Sequence, residues 1–274
     1  MTTFQKRVAT TLIGLPVIVI LACLPYYNYL AFNVLLFIVS IIASYETSNI
    51  LDPEKNGLLL PAFLPPLLIP ISYLSNIFLN SAFILELIFL LLIITFALEI
   101  KRGEKDNFKG SINRLVKTTF LIIYPTAFAA SLSNMTFLHS SQFLIGVYLF
   151  VVYSSDISAY IFGMLFGKNN RGFLKVSPNK SIVGFIAGIL FPALFMGYFA
   201  TTNIFNLEFY QGFILGAALA LGAILGDLIE SVLKRCSNVK DSGTVIPGRG
   251  GMLDSIDSVI VTLPIYITAL NILC

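Results

Sequence analysis

The sequence predicts an all-α, polytopic membrane protein with about nine transmembrane helices and its active site at the cytoplasmic interface. Composition is the first ground: 57% of the 274 residues are hydrophobic and 11% are charged, with a mean hydropathy of +0.89, where a soluble domain carries about 25% charged residues. The second is length. Nine apolar stretches approach the roughly 20 residues a span requires, and the polar breaks between them leave no room for a soluble domain. The third is charge placement. With the amino terminus in the cytoplasm, all 17 Lys and Arg fall on one side, at 6–7, 55, 101–117, 168–180 and 234–249. The opposite loops, around Tyr26, Asn80, Asn134 and Asn203, hold none, as the positive-inside rule requires.

The expected spans are 8–24, 29–51, 58–79, 81–100, 116–133, 142–166, 181–201, 210–233 and 255–273. Residues 1–140 supply the amino-terminal helices and 141–274 the catalytic region of one continuous membrane domain. The opening run after Lys6 and Arg7 also has the look of a signal peptide, with residues 20–23 weakly like a lipoprotein cleavage box. Eight further spans make a first transmembrane helix the simpler reading. The third span contains Pro61, Pro65, Pro66 and Pro70, which remove backbone donors and should kink it or make it re-entrant. Cys23, Cys236 and Cys274 have no metal-ligand spacing, and no structural disulfide is expected. No internal repeat supports an inverted-repeat transporter.

Acidic residues inside apolar spans are costly and mark cavities or partners. Here they are Glu46, Glu86, Asp156, Asp227 and Glu230, with Asp254 and Asp257 at the mouth of the last span. Glu46 and Glu86 stand alone, balanced between packing and interfacial roles. Asp156 sits mid-span among small polar residues, which favours function. Asp254 and Asp257 are three apart, so a helix puts both carboxylates on one face. Asp227 lies near the cytoplasmic end of the preceding span, and a short loop returns the chain to its level. Three carboxylates can therefore converge. Oxygen-only ligands suit Mg²⁺ completed by substrate phosphates, and the lack of nearby His or thiolate disfavours zinc. The plain alternative is an ion network with Lys234, Arg235 and Lys240 at a solvated helix end.

The loop before Asp254 reads as a phosphate cradle, because Gly243, Gly248, Gly250 and Gly251 let backbone amides approach an anion while Lys240 and Arg249 supply charge. A second polar segment, "GKNNRGFLKVSPNKSIVGF" (167–185), ends with Ser177 to Ser181 at the start of the seventh span, where helix amides favour phosphate. His139, in an outside loop, is read as inert.

Residues 231–258, "SVLKRCSNVKDSGTVIPGRGGMLDSIDS", resemble the carboxyl-terminal signature of the CDP-diacylglycerol synthases, the phosphatidate cytidylyltransferases. In that signature Ser-x-x-Lys-Arg, Lys-Asp-Ser-Gly, Pro-Gly-x-Gly-Gly and Asp-x-x-Asp occur in this order. "SPNKS" (177–181) is similar to the family's Ser-Pro-x-Lys-Thr, and "SDISAYIFGMLFGK" to the helix before it. The match spans roughly 140–274, and the first half agrees in hydropathy and in its opening "KRVATTLIGLPVIV".

This resemblance implies a nine-span, homodimeric enzyme that condenses CTP with phosphatidic acid to CDP-diacylglycerol and pyrophosphate, with no nucleic-acid partner. It implies a Mg²⁺ site at Asp227, Asp254 and Asp257, a second cation such as K⁺ staying open. Lys240 and Asp241 join the carboxylates as catalytic candidates. Ser177, Asn179, Lys180, Ser181, Lys234, Arg235, Arg249, Gly250 and Gly251 are the expected contacts to nucleotide or phosphates. Two positions depart from the pattern: Arg249 stands where the family commonly has histidine, and Ser255 where it commonly has arginine. Arg249 is therefore expected to take over phosphate contact. A CDP-alcohol phosphatidyltransferase is disfavoured, since its Asp-Gly-x-x-Ala-Arg run is absent, whereas an ion transporter using the same carboxylates stays open. Short loops without an organelle-targeting extension point to a bacterial plasma membrane.

Overall fold

The computed structural model describes residues 14, 16–54, 57–81, 83–172, 176–177, 180–248 and 250–273. Among these the regular elements are helices, joined by turns and isolated bridges. The chain divides into two compact units, Met1–His139 with Cys236–Ser255 and Ser140–Arg235 with Ile256–Cys274.

The first unit contains α1 (Leu30–Leu51), α2 (Leu68–Leu79), α3 (Ile84–Gly103), α4 (Ser111–Ile122) and α5 (Phe128–Met135). One face of α1 buries Phe32, Leu36, Ser40, Ala43, Thr47 and Ile50, a spacing of three or four that aligns them along the helix. Two serines on this side bind the segment after α4. Ser40 Oγ donates to the Pro125 carbonyl at 3.3 Å, and Ser44 Oγ lies 3.3 Å from Thr126 Oγ1. Pro125 has no N–H to continue the helix ladder, and the chain widens into a π turn at Ile123–Ala127 before α5 begins.

Prolines also shape the third apolar stretch. Its helix begins only at the 3₁₀ turn Pro65–Leu67, and α2 then runs for 12 residues to Asn80, which ends it in the left-handed region at φ 50°. Such a helix is about 18 Å long, short of the roughly 30 Å hydrocarbon core. Basic residues 101–117 are not all solvated. Arg114 is buried, with Nη2 2.6 Å from Glu99 Oε1 and Nη1 2.9 Å from Asp106 Oδ2. Lys117 Nζ lies 3.6 Å from Asp52 Oδ1, and Asp52 accepts the Gly57 N–H at 2.7 Å, folding the chain back after α1.

The second unit contains α6 (Ser141–Phe166), α7 (Ile182–Ala200), α8 (Phe209–Cys236) and α9 (Leu253–Leu273), the last residue of α8 and the first three of α9 being counted with the first unit. Lipid offers no hydrophobic gain for helix association, so close packing of small residues and interhelical hydrogen bonds must hold these helices together. Ser155 Oγ on α6 donates to the Gly188 carbonyl of α7 at 2.8 Å. Gly216 on α8 packs on the backbone of Pro192 and Ala193 in α7. Between α6 and α9, Tyr148 stacks on Tyr266 with ring centroids 5.0 Å apart, and their hydroxyls bind the Val259 and Leu144 carbonyls.

Six helices among the described residues are long and apolar enough to cross a membrane: Leu30–Leu51, Ser111–Met135, Ser141–Phe166, Ile182–Ala200, Phe209–Cys236 and Leu253–Leu273. These coincide with the second, fifth, sixth, seventh, eighth and ninth expected spans. The fourth is also helical, as α3, but carries Glu86, Glu99, Lys101 and Arg102. Of the first span, residues 8–13 and 15 lie outside the described residues, and 16–23 are helical.

Candidate active site

In the second unit, acidic side chains gather where α8 and α9 touch. Gly226 makes this contact close, since a Cβ there would stand 2.5 Å from the Asp257 carbonyl oxygen. The next residue on α8 is Asp227, and α9 presents Asp257 at the same level. Asp257 is 5% exposed and accepts the Ser258 N–H at 2.6 Å. It feels the charges of Asp227 and Asp156 and comes within hydrogen-bonding reach of Glu230.

The cations of this unit reach the same group. Lys180 Nζ is paired with Asp227 Oδ2, while Lys234 Nζ lies 2.9 Å from Glu230 Oε2, one turn away on α8. Asp227 and Glu230 are thus each paired with an ammonium group, beside the buried Asp257. Lys180 is delivered by a small hairpin. The Ile182 N–H donates to the Asn170 carbonyl at 3.1 Å and the Gly172 N–H to the Lys180 carbonyl at 3.3 Å. Ser181 then caps α7, its Oγ accepting the Gly184 N–H at 3.1 Å, as an N-cap serine should. Ser177 is half-buried and its carbonyl accepts the Lys180 N–H at 3.2 Å, whereas Arg235 is exposed. Asn179 lies outside the described residues.

In the first unit, residues 237–252 form a loop docked on α1. Ser237 Oγ donates to the Ile50 carbonyl at 2.6 Å. Ile246 and Gly250 exchange backbone hydrogen bonds of 2.8 and 3.1 Å, with Gly248 (φ 82°) turning between them and Gly250 itself at φ 112°, conformations that favour glycine. Arg249 lies outside the described residues. Lys240 and Asp241 are exposed.

Glu46 holds the base of this loop. It is 5% exposed; its Oε1 accepts the Met252 N–H at 2.9 Å, and its Oε2 accepts the Leu253 N–H at 2.8 Å and the Ser242 hydroxyl at 3.0 Å. The two backbone donors stand at the start of α9, where no helical carbonyl can satisfy them and a negative charge meets the positive end of the helix. Hydrogen bonds to a charged group contribute about 1.5–3 kcal/mol each. Asp254 Oδ2 accepts from the same loop, from the Gly251 N–H at 2.7 Å and from the Ser242 N–H and hydroxyl at 3.0 Å each. The loop glycines make room for these two carboxylates: a Cβ on Gly243 or Gly251 would meet Glu46, and one on Gly250 would meet Asp254.

The structure therefore brings Asp227 and Asp257 together with Lys180, and turns Asp254 into the loop. Among the described residues no three acidic, His or Cys side chains gather closely enough to hold a metal ion. The donor chemistry still fits a hard cation, because the carboxylates are oxygen-only and an ammonium already occupies Asp227. The spacing argument gave Glu46 no partner in the loop, since the residues it serves are about 200 positions away; an acid placed in an apolar helix was the available signal. Glu230, noted as an intramembrane acid, is the further carboxyl within hydrogen-bonding reach of Asp257, and Asp156 is exposed.

The cytidylyltransferase family model matches residues 5–273, covering every helix and both polar segments described above. The chain belongs to the cytidylyltransferase family. Among cytidylyltransferase relatives, a protein of Rickettsia bellii named phosphatidate cytidylyltransferase is 34% identical over 220 residues, 78% of this chain and 91% of its own length. Proteins of the same name from Aquifex aeolicus and Staphylococcus haemolyticus are 30% and 43% identical over 158 and 126 residues. The aligned stretches span about half of these two relatives, 58% and 45% of their lengths.

Proposed function

We propose that this chain is a phosphatidate cytidylyltransferase, condensing CTP with phosphatidic acid to CDP-diacylglycerol and pyrophosphate. The observation that carries the reading is the family match over residues 5–273; the acid-rich cluster with its paired lysine supports it. A phosphate oxygen of phosphatidic acid attacks the α-phosphorus of CTP, the bond from that phosphorus to the bridging oxygen breaks, and pyrophosphate leaves. The attacking oxygen is already anionic, so this chain needs no strong general base. Positioning and charge neutralisation carry the barrier reduction. Lys180 would turn from Asp227 to the triphosphate, with Lys234, Arg235, Lys240 and Arg249 as further anion contacts beside Ser177, Asn179, Ser181, Gly250 and Gly251.

Asp227, Asp254 and Asp257 are the residues that would hold Mg²⁺, on their motif positions and the one-turn spacing of the last two along α9. When bound, such an ion supplies charge neutralisation to the phosphates and the leaving group. Asp241 is assigned beside them. The acyl chains stay in the bilayer while the head group reaches the interface.

The experiment is direct. Purified protein supplied with CTP, Mg²⁺ and phosphatidic acid should release pyrophosphate in proportion to CDP-diacylglycerol formed; ion flux without pyrophosphate release would favour the transporter instead. The proposed setting is a nine-span homodimer in a bacterial plasma membrane, with the site facing the cytoplasm. Engineered cysteines check that setting. Residues in the loop at 104–110 should resist an impermeant thiol reagent in intact cells, and cross-linking in the same cells should yield a dimer; labelled loops or monomer alone would count against it.

A further inference from the structure

We propose that the segment from Lys101 to Lys109 is a docking surface for anionic lipid head groups, with Phe108 as its anchor in the bilayer. Binding there goes beyond the catalytic reading and does not depend on turnover.

The segment joins α3 to the apolar helix Ser111–Met135, which is long enough to cross a membrane, so the chain turns at a bilayer surface. Residues 99–114 carry five basic and three acidic side chains, a net charge of +2. The positive-inside rule accounts for lysines on this side. It does not account for where the acids go. The Arg114 Nε and Nη2 donate to the Glu99 carboxylate at 3.0 and 2.6 Å, and its Nη1 donates to Asp106 at 2.9 Å and to the Lys109 carbonyl at 3.0 Å. This buried guanidinium therefore draws two of the three acids inward and pins the backbone that carries Lys109. On the outer surface Lys101, Lys105 and Lys109 are exposed, and Glu104 is the acid left beside them.

An apolar edge accompanies the lysines. Phe108 stands beside Lys109 and is more than half exposed, although its backbone sits in the left-handed region at φ 60°, an unusual place for a bulky residue. One edge of its ring packs so closely on Gly103 that a Cβ there would collide with it, which fixes the direction in which the ring projects. Ile112 and Val116 follow at one-turn intervals on α4, both well exposed. Such a surface suits a lipid boundary, where rings and aliphatic side chains enter the hydrocarbon while lysines extend their ammonium groups to the phosphates. Three unopposed ammonium groups at that level favour anionic over zwitterionic lipid.

The chain contains no tryptophan, so Phe108→Trp places a single fluorescent reporter on this surface. The full-length variant is reconstituted in vesicles of phosphatidylcholine with phosphatidic acid, and one lipid or the other carries brominated chains, which quench the indole. Brominated phosphatidic acid is expected to quench about tenfold more effectively per mole than brominated phosphatidylcholine, the scale of a few lysines near an anionic surface. Lys101→Gln, Lys105→Gln and Lys109→Gln together should bring the preference to within about twofold of unity. Phe78→Trp is the reference, exposed at the end of α2 beside Asn80, and should show no preference. Equal quenching by the two lipids at residue 108 overturns the proposal. So does a preference that survives the three glutamines, or one that is as large at residue 78. Where Phe108→Trp does not fold, Ile112→Trp carries the reporter one turn further along the same surface, and the same results decide.

Discussion

Asn in place of Asp257 is expected to lower CTP-dependent pyrophosphate release on the order of a thousandfold, the scale on which one preorganised charge contact acts in a water-poor site. The side chain is almost completely enclosed, 5% exposed, with Gly226 pressed against its backbone, so a substitution of the same shape leaves packing intact and removes only the anion. Asp227→Asn should act in the same direction and also release Lys180 from its ion pair. Asp254→Asn completes the set; its amide would bring a donor to face the Ser242 and Gly251 N–H groups. Steady-state rates at saturating CTP, beside the thermal unfolding of each detergent-solubilised variant, make the measurement. Near-normal Mg²⁺-dependent turnover in all three single variants would remove the carboxylates from the chemistry.

Gly251→Ala should cost both activity and stability, through one methyl group. A Cβ at this position would run into the Ser242 hydroxyl and the Glu46 carboxylate, the two groups that dock the loop. Neither can step aside without giving up hydrogen bonds to Leu253, Met252 or Asp254. The expected loss is about 2–4 kcal/mol of stability, combining overpacking with broken charge-assisted hydrogen bonds, and about 100-fold in turnover, as misplaced supporting groups cause elsewhere. Gly146→Ala is the control. Nothing lies within 4 Å of a Cβ there, and Ala favours a helix over Gly by about 1 kcal/mol, so it should be neutral or slightly stabilising. Equal behaviour of the two variants would show that the loop tolerates the methyl group.

Apolar runs and one-sided charge made the helices legible, because a span needs little more than length and composition to be recognised. The prolines of residues 61–70 were legible in the same way, as missing donors, and α2 starts only after three of the four. Charge clusters were harder. Arg114 sits among basic residues of identical type, and nothing local distinguishes it as the one enclosed by Glu99 and Asp106. The glycines of the 240–252 loop were read as a phosphate cradle. Their neighbours in the structure are Glu46 and Asp254, and one of these comes from α1. Spacing can bring Asp254 near Asp257 on one helix, but it cannot pair residues 196 positions apart, as Glu46 and Ser242 are.

That separation has a consequence for biosynthesis. The ribosome releases Glu46 196 residues before Ser242, an interval of roughly 10–40 s at 5–20 residues per second. During that time the donors that later satisfy the carboxylate have not been made. Helix α1 must therefore enter the membrane with an acid near its carboxyl-terminal end that is held by water, head groups or a proton, and remain there through the insertion of the helices that follow. The docking of residues 240–252 is then a late maturation step, which joins one of the earliest helices to be synthesised to the start of the last.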